Sequence, residues 1–137
     1  MATGTLGDQA RLQPRQVVNT WRKQVNYNDA GIGSGVAGVV LPIGAFILRV
    51  LVEIVTAFNA ATTNVLTVGT NSATYNDIVA AGDVDEATAG VYDVTRGLGR
   101  SLTAAADTTV YVMYTQTGDA ATAGQAEIVI EYEGNTG

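Results

Sequence analysis

Residues 45–58 alternate apolar and mixed positions so regularly that they predict the central strand of the chain. Phe46, Leu48, Val50, Val52, Ile54 and Phe58 share one parity, while Arg49 and Glu53 fall on the other among Ile47, Leu51 and Val55. Successive strand side chains point to opposite faces, and β-branched residues suit a pleated surface, so the even set is expected to line the core. Each fully buried large aliphatic side chain contributes about 1.5–3 kcal/mol, which makes this row the strongest single source of core stability. The odd face is too apolar for open water and too charged for a sealed interior, which marks Ile47, Arg49, Leu51, Glu53 and Val55 as a candidate contact between copies of the chain. A second layer or a covering loop would give the same pattern.

The same period recurs on both sides. Residues 16–27 place Val17, Trp21, Val25 and Tyr27 opposite Thr20, Arg22, Gln24 and Asn26, which predicts a half-buried strand with the only Trp facing in. Residues 36–41 form a short apolar strand stopped by Pro42, with Ile43-Gly44 as the corner into the central strand. Residues 59–63 read as a turn and residues 64–70 as a returning strand, so the central strand and its successor are expected to pair as a hairpin. Residues 71–89 lose the alternation. Tyr75, Ile78 and Val79 stand at helical spacing and Asn76 is a candidate cap, which predicts one short helical turn. Val91 to Thr95 and Leu98 to Thr103 are two short candidate strands. Residues 108–117 carry Val110, Val112 and Tyr114 on one face with Tyr111 and Met113 on the other, which predicts a strand buried on both sides or at an interface. Residues 125–133 close the chain with Ala126, Ile128, Ile130 and Tyr132 inward and Glu127, Glu131 and Glu133 outward.

Short strands punctuated by Gly, Asn and Asp, with no repeating βα unit, indicate an all-β antiparallel β-sandwich. A jelly-roll leads because the strand count approaches eight and the connections vary in length; an immunoglobulin-like sandwich is the alternative. Residues 1–15 lack periodicity and hold Gly4, Gly7 and Pro14, so they are expected to form an extended arm outside a domain of residues 16–137. At 137 residues the chain has the size of one domain.

Charge and composition narrow the chemistry. A net charge of −6 with only seven scattered Lys and Arg argues against a nucleic-acid surface, which needs clustered cations to displace counterions. The absence of Cys and His removes disulfides, thiolate chemistry and the commonest general base and metal ligand. The amino terminus has no apolar segment of signal-peptide type, so synthesis in the cytoplasm is expected. Residues 35–58 have the length of a membrane span, but Pro42, Arg49 and Glu53 interrupt them and the alternation favours two strands, so no membrane partner is expected.

The candidate sites read blandly when weighed one by one. The Gly-rich run 28–35 has the spacing of a phosphate-cradling loop, yet that mechanism needs a following helix, and an extended run follows; a flexible hairpin connection is the better reading. Asp83, Asp85 and Glu86 lie close in sequence without the ligand count or register of a calcium loop, so a solvated acidic loop is expected and no cofactor is assigned. Ser34, Ser72 and Ser101 have no His to activate them, and no enzyme activity is expected. Arg96 and Arg100, flanking Gly97 and Gly99, are candidates to meet a neighbour's carboxylates.

The order Leu41-Pro42-Ile43-Gly44-Ala45, Val52-Glu53-Ile54-Val55-Thr56-Ala57-Phe58 and Leu66-Thr67-Val68-Gly69-Thr70, then Tyr75, Asp83-Val84, Gly90 and the terminal Ile128-Val129-Ile130-Glu131-Tyr132, resembles the jelly-roll capsid decoration, or cement, proteins of tailed bacteriophages. The resemblance spans residues 36–132 and rests on strand and turn residues. It implies a virion protein on the capsid exterior, a homo-oligomer and typically a trimer, that binds the major capsid protein and stabilises contacts between capsid subunits. In that setting the arm, with Leu6, Arg11, Leu12 and Arg15, is expected to bind the capsid. Two alternatives stay open: a tail, neck or fibre component with the same sandwich, and a carbohydrate-binding host-attachment domain using Tyr75 and Tyr92 as platforms.

Overall fold

Among the described residues seven strands alternate between two layers. A computed structural model describes residues 18–134, with β1 (Val18–Asn26), β2 (Val36–Leu41), β3 (Phe46–Thr56), β4 (Thr63–Gly69), β5 (Gly90–Asp93), β6 (Thr108–Thr117) and β7 (Gln125–Glu133). The odd strands form a four-stranded sheet in the order β1-β7-β3-β5, and the even strands a three-stranded sheet in the order β2-β6-β4. All pairings are antiparallel. They nest: β1 with β7, β2 with β6, β3 with β5, and β4 with a single bridge from Val68 to Val79 where an eighth strand would lie. An antiparallel ribbon rolled in this way is a jelly-roll, with its eighth strand reduced to one residue pair. Residues 70–78 are the tip of the ribbon.

This topology corrects two expected hairpins. The Gly-rich connection after β1 and the connection after β3 each carry the chain from one sheet to the other, so neither joins paired neighbours. Turn residues reveal where the chain bends, not which strand it meets next. Of the two short strands expected after residue 90, the first forms as β5; the second is reduced to a bridge between Gly99 and Ile47. In place of the expected helical turn the chain makes one tight turn, closed by the Tyr75 N–H donating to Asn71 O at 2.8 Å, with Ala73 and Tyr75 in the left-handed region at φ of 74° and 42° and Val79 in an antiparallel bridge to Val68. Asn71, rather than Asn76, organises it: Asn71 Oδ1 accepts from the Asn76 and Asp77 N–H groups at 2.8 and 3.3 Å.

The core lies between the sheets. Val50, Val52 and Ile54 of β3 and Ala126, Ile128 and Ile130 of β7 face Leu66 and Val68 of β4 and Val110, Val112 and Tyr114 of β6, all buried. Phe58 packs on Tyr114 with ring centroids 4.6 Å apart. At the β1/β2 side the sheets close through Trp21, which lies over Gly38: a Cβ there would sit 2.4 Å from Trp21 Cζ2. Only a glycine lets the indole approach the backbone this closely.

The parity of β3 is not uniform. Register shifts between Ile47 and Arg49 mark a β-bulge, in which two residues oppose one on the partner strand and the alternation slips. Phe46 and Leu48 are therefore 45% and 37% exposed, and Ile47 is buried. The even row expected to line the core does so only from Val50 onward.

Candidate functional site

The outer face of the four-stranded sheet is the surface on which exposed apolar and charged side chains concentrate. The register aligns them in rows across the sheet. Val18, Glu133 and Phe46 form the first; Thr20, Glu131 and Arg49 the second; Arg22, Val129, Leu51 and Asp93 the third; Gln24, Glu127, Glu53 and Val91 the fourth. Strand alternation turns all of these side chains away from the core.

The third and fourth rows enclose a shallow hollow of about 170 Å³ lined by Arg22, Leu51, Glu53, Val91, Glu127 and Val129. Its floor is aliphatic and its rim ionic. Arg22 donates from Nε to Glu127 Oε1 at 2.7 Å and also from its terminal nitrogen to the same oxygen. Glu53 stands directly opposite Glu127 on one side and Val91 on the other, with no ion pair among the described residues. Like charges directly opposite in a ladder are unfavourable, so this face carries uncompensated negative charge. Along the same face the Asp93 carboxyl is held below the usual carboxylate range, first by hydrogen bonds from Thr95 and also by nearby Arg49.

Arg49, Leu51, Glu53 and Val55 thus share one outward face, while Ile47, grouped with them on parity, belongs to the core because of the bulge. Arg96 pairs with Asp83 of its own chain. Arg100 is exposed and forms no ion pair among the described residues. Leu6, Arg11, Leu12 and Arg15 lie outside the described residues. Reading one strand at a time misses Arg22, Val91, Glu127 and Val129 as members of the hollow. The outward parity of β7 does carry a signal for Glu127 and Val129, but nothing local links Arg22 to a carboxylate 105 positions away.

The acidic loop separates into three unrelated contacts. Asp83 also accepts from the Ala80 N–H at 2.8 Å, and Asp85 closes a turn on Ala87 and Thr88. Glu86 is buried and accepts from the Leu66 N–H at 3.2 Å, plugging the edge of β4. Burial pushes its carboxyl above the ordinary value, with nearby Asp85 adding to the effect. Among the described residues no group of three or more acidic side chains is placed to hold a metal ion. The two tyrosines considered as sugar platforms are both engaged. Tyr92 donates to Thr88 O at 2.8 Å, and Tyr75 stacks on Tyr111 at 4.5 Å. No helix among the described residues is long and apolar enough to cross a membrane.

Chains from bacteriophage capsid structures share this fold. The cyanophage Pam1 capsid asymmetric unit contains a chain 21% identical, with a TM-score of 0.59, over 86% of this chain and 85% of that one. The acidic stable capsid structure of Helicobacter pylori bacteriophage KHP30 contains one 19% identical, with a TM-score of 0.62, over 85% and 86%. The capsid of Ralstonia phage GP4 contains one 22% identical, with a TM-score of 0.59, over 88% and 86%. At these identities the likeness is one of fold. No protein-family model matches the sequence, and no curated protein does.

Proposed function

We propose that this chain is a bacteriophage virion structural protein and, within the virion, a capsid decoration protein that binds the outer shell as an oligomer and stabilises contacts between major capsid subunits. The observation that carries the proposal is the agreement in fold, over most of both chains, with components of three phage capsid structures. The open face bearing Arg49, Leu51, Glu53 and Val55 supplies a surface for contact between copies, with Arg96 and Arg100 at its margin. The arm of residues 1–15, through Leu6, Arg11, Leu12 and Arg15, is assigned to the capsid. Repeated symmetric contacts turn modest interface energies into avidity, so a small acidic domain suffices for this role.

The test is to image particles with and without this protein and to count its copies by quantitative mass spectrometry. Density on the outer surface, with a copy number comparable to that of the shell protein, supports decoration. A few copies confined to the tail or neck would replace it with that address. Deleting residues 1–15 is expected to abolish capsid binding and leave a folded oligomer; normal binding by the truncated chain refutes the assignment of the arm.

A further inference from the structure

Most cations among the described residues are already committed. Arg22 holds Glu127, Arg96 holds Asp83, and Arg49 stands near Asp93. Lys23 shares the inward parity of Trp21 and Val25. Arg49 and Arg100 are both exposed and form no ion pair among the described residues; Arg49 stands opposite Glu131 in the ladder and near Asp93, whereas Arg100 lies in a turn outside the strands. It is also presented rigidly. Its carbonyl accepts from the Thr103 N–H at 3.1 Å, the Thr103 hydroxyl donates to Ala45 O at 2.6 Å, and the Ile47 N–H donates to Gly99 O at 2.8 Å, so the turn is pinned to the start of β3.

On the acidic side the mismatch is at the hollow, where Glu53 and Glu127 oppose each other and Arg22 pairs with Glu127 alone. Arg100 of the same chain cannot supply the missing charge. It projects from the turn bridged to Ile47, and β3 carries Glu53 about 20 Å further along at about 3.3 Å per residue, well beyond an arginine side chain.

We infer that Arg100 of one copy enters the hollow on the four-stranded sheet of the next, its guanidinium between Glu53 and Glu127 and its aliphatic stem against Leu51, Val91 and Val129. An arginine suits this site because its methylene chain covers apolar surface while its planar head donates to two carboxylates at once. The occupant is a second copy on grounds of charge: a chain of net charge −6 repels its copies unless a cation is placed at their contact, and Arg100 is, among the described residues, an exposed cation outside the sheets that forms no ion pair in its own chain. The contact joins the margin of one sheet to the face of another, so it is heterologous, and a closed ring of copies follows when the rotation closes. The inference deepens the proposed function by naming the contact between copies and takes its assembled setting from that reading.

The experiment is sedimentation and native mass spectrometry of the full chain, wild type and with Arg100→Glu, Glu53→Arg and the two combined. Either single reversal is expected to raise the dissociation constant between copies by about tenfold or more, as for other interfacial charge pairs, and the combination to restore most of the affinity. The neutral variants Arg100→Gln and Glu53→Gln guard against misfolding: they should weaken association while leaving the melting temperature of the dissociated chain unchanged. A monomeric wild type, single variants that assemble normally, or no recovery in the combination overturns the inference, as does a complex formed only with a basic partner of another sequence. A monomer found on the capsid exterior would sink this contact and leave the decoration role standing, while a ring found only at the tail would do the reverse.

Discussion

The two sheets share one core and differ completely in what they show to the outside. β2, β4 and β6 contain no charged residue, whereas the four-stranded sheet carries Arg22, Lys23, Arg49, Glu53, Asp93, Glu127, Glu131 and Glu133. Most of the exposed large apolar side chains, Val18, Phe46, Leu48, Val55 and Val91, also belong to the four-stranded sheet. The three-stranded sheet is partly covered by its own chain. The ribbon tip folds back so that Tyr75 stacks on Tyr111, and Thr67, which points away from the core, is only 5% exposed. A face covered from within needs no charge to stay in solution. A face left open keeps charge around its apolar residues, which limits nonspecific association and selects a complementary partner.

The largest effect is expected where the two sheets depend on each other. Phe58 is 2% exposed, lies against Tyr114, and occupies the space that a Cβ on Gly124 would need. Phe58→Ala should cost about 3–5 kcal/mol in chemical denaturation, since it removes a large ring from a close-packed site. A loss below about 1 kcal/mol would mean that the sheets are held together elsewhere.

Next comes the covering of the three-stranded sheet. Asp77 accepts from the Thr70 N–H at 2.7 Å and from the Thr70 hydroxyl at 2.6 Å, stapling the ribbon tip. At the base of the tip, a Cβ on Gly69 would meet Asp77 Oδ1 at 2.4 Å and the Asn76 nitrogen at 2.6 Å, so the tip closes directly over bare backbone. Asp77→Ala should cost about 1–3 kcal/mol and release Tyr75 from Tyr111, visible as changed tyrosine ring shifts in NMR spectra. Unchanged ring shifts would show that the covering does not depend on this staple.

The contrast between the faces was only half legible in the sequence. The bounds of β2, β6 and β7 and the inward residues of β7 follow from alternation, because both sheets bury one face and a period of two then fixes which residue points where. The slip at Leu48 does not follow, since a bulge is set by the pairing with β7 and leaves no mark on β3 itself. The nested pairing was likewise hidden, because local turn chemistry is the same whether the chain returns beside its predecessor or crosses to the other sheet. Of the candidate site, Arg49, Leu51, Glu53 and Val55 could be grouped by parity within one strand. Arg22, Glu127 and Val91 join them only through pairings of distant segments.

A pH titration sharpens the comparison at the edge of the three-stranded sheet. Glu86 fills the place of a missing strand beside Leu66, and burial raises its carboxyl above the ordinary value of 4.5. The fold therefore favours the protonated form. The stability this contributes is complete below about pH 4.5 and is lost as the pH rises through the raised value. Glu86→Gln should remove that slope, so the stability of the variant relative to wild type is expected to grow between about pH 4 and pH 7 in denaturation curves. The groups around it, Asp85, Tyr92 and Tyr114, supply no cation to reverse the sign. Parallel curves for the two proteins would remove Glu86 as a source of pH dependence.

The smallest effect is expected on the open face. Arg22 and Glu127 form an ion pair whose side chains are 63% and 27% exposed, so water and salt screen most of its attraction. Arg22→Ala should therefore cost only about 0.2–1 kcal/mol at low ionic strength and less as salt is added, measured by thermal melting of the dissociated chain. The same change leaves Glu53 and Glu127 facing each other without the one arginine between strands that offsets them. Its effect on assembly should then exceed its effect on folding, because a second copy that brings Arg100 to the hollow meets a stronger negative field and a less crowded rim. Tighter association with nearly unchanged melting would separate the two roles of this face. A folding cost above about 2 kcal/mol would instead place the pair among buried charges and erase the distinction between a covered sheet and an open one.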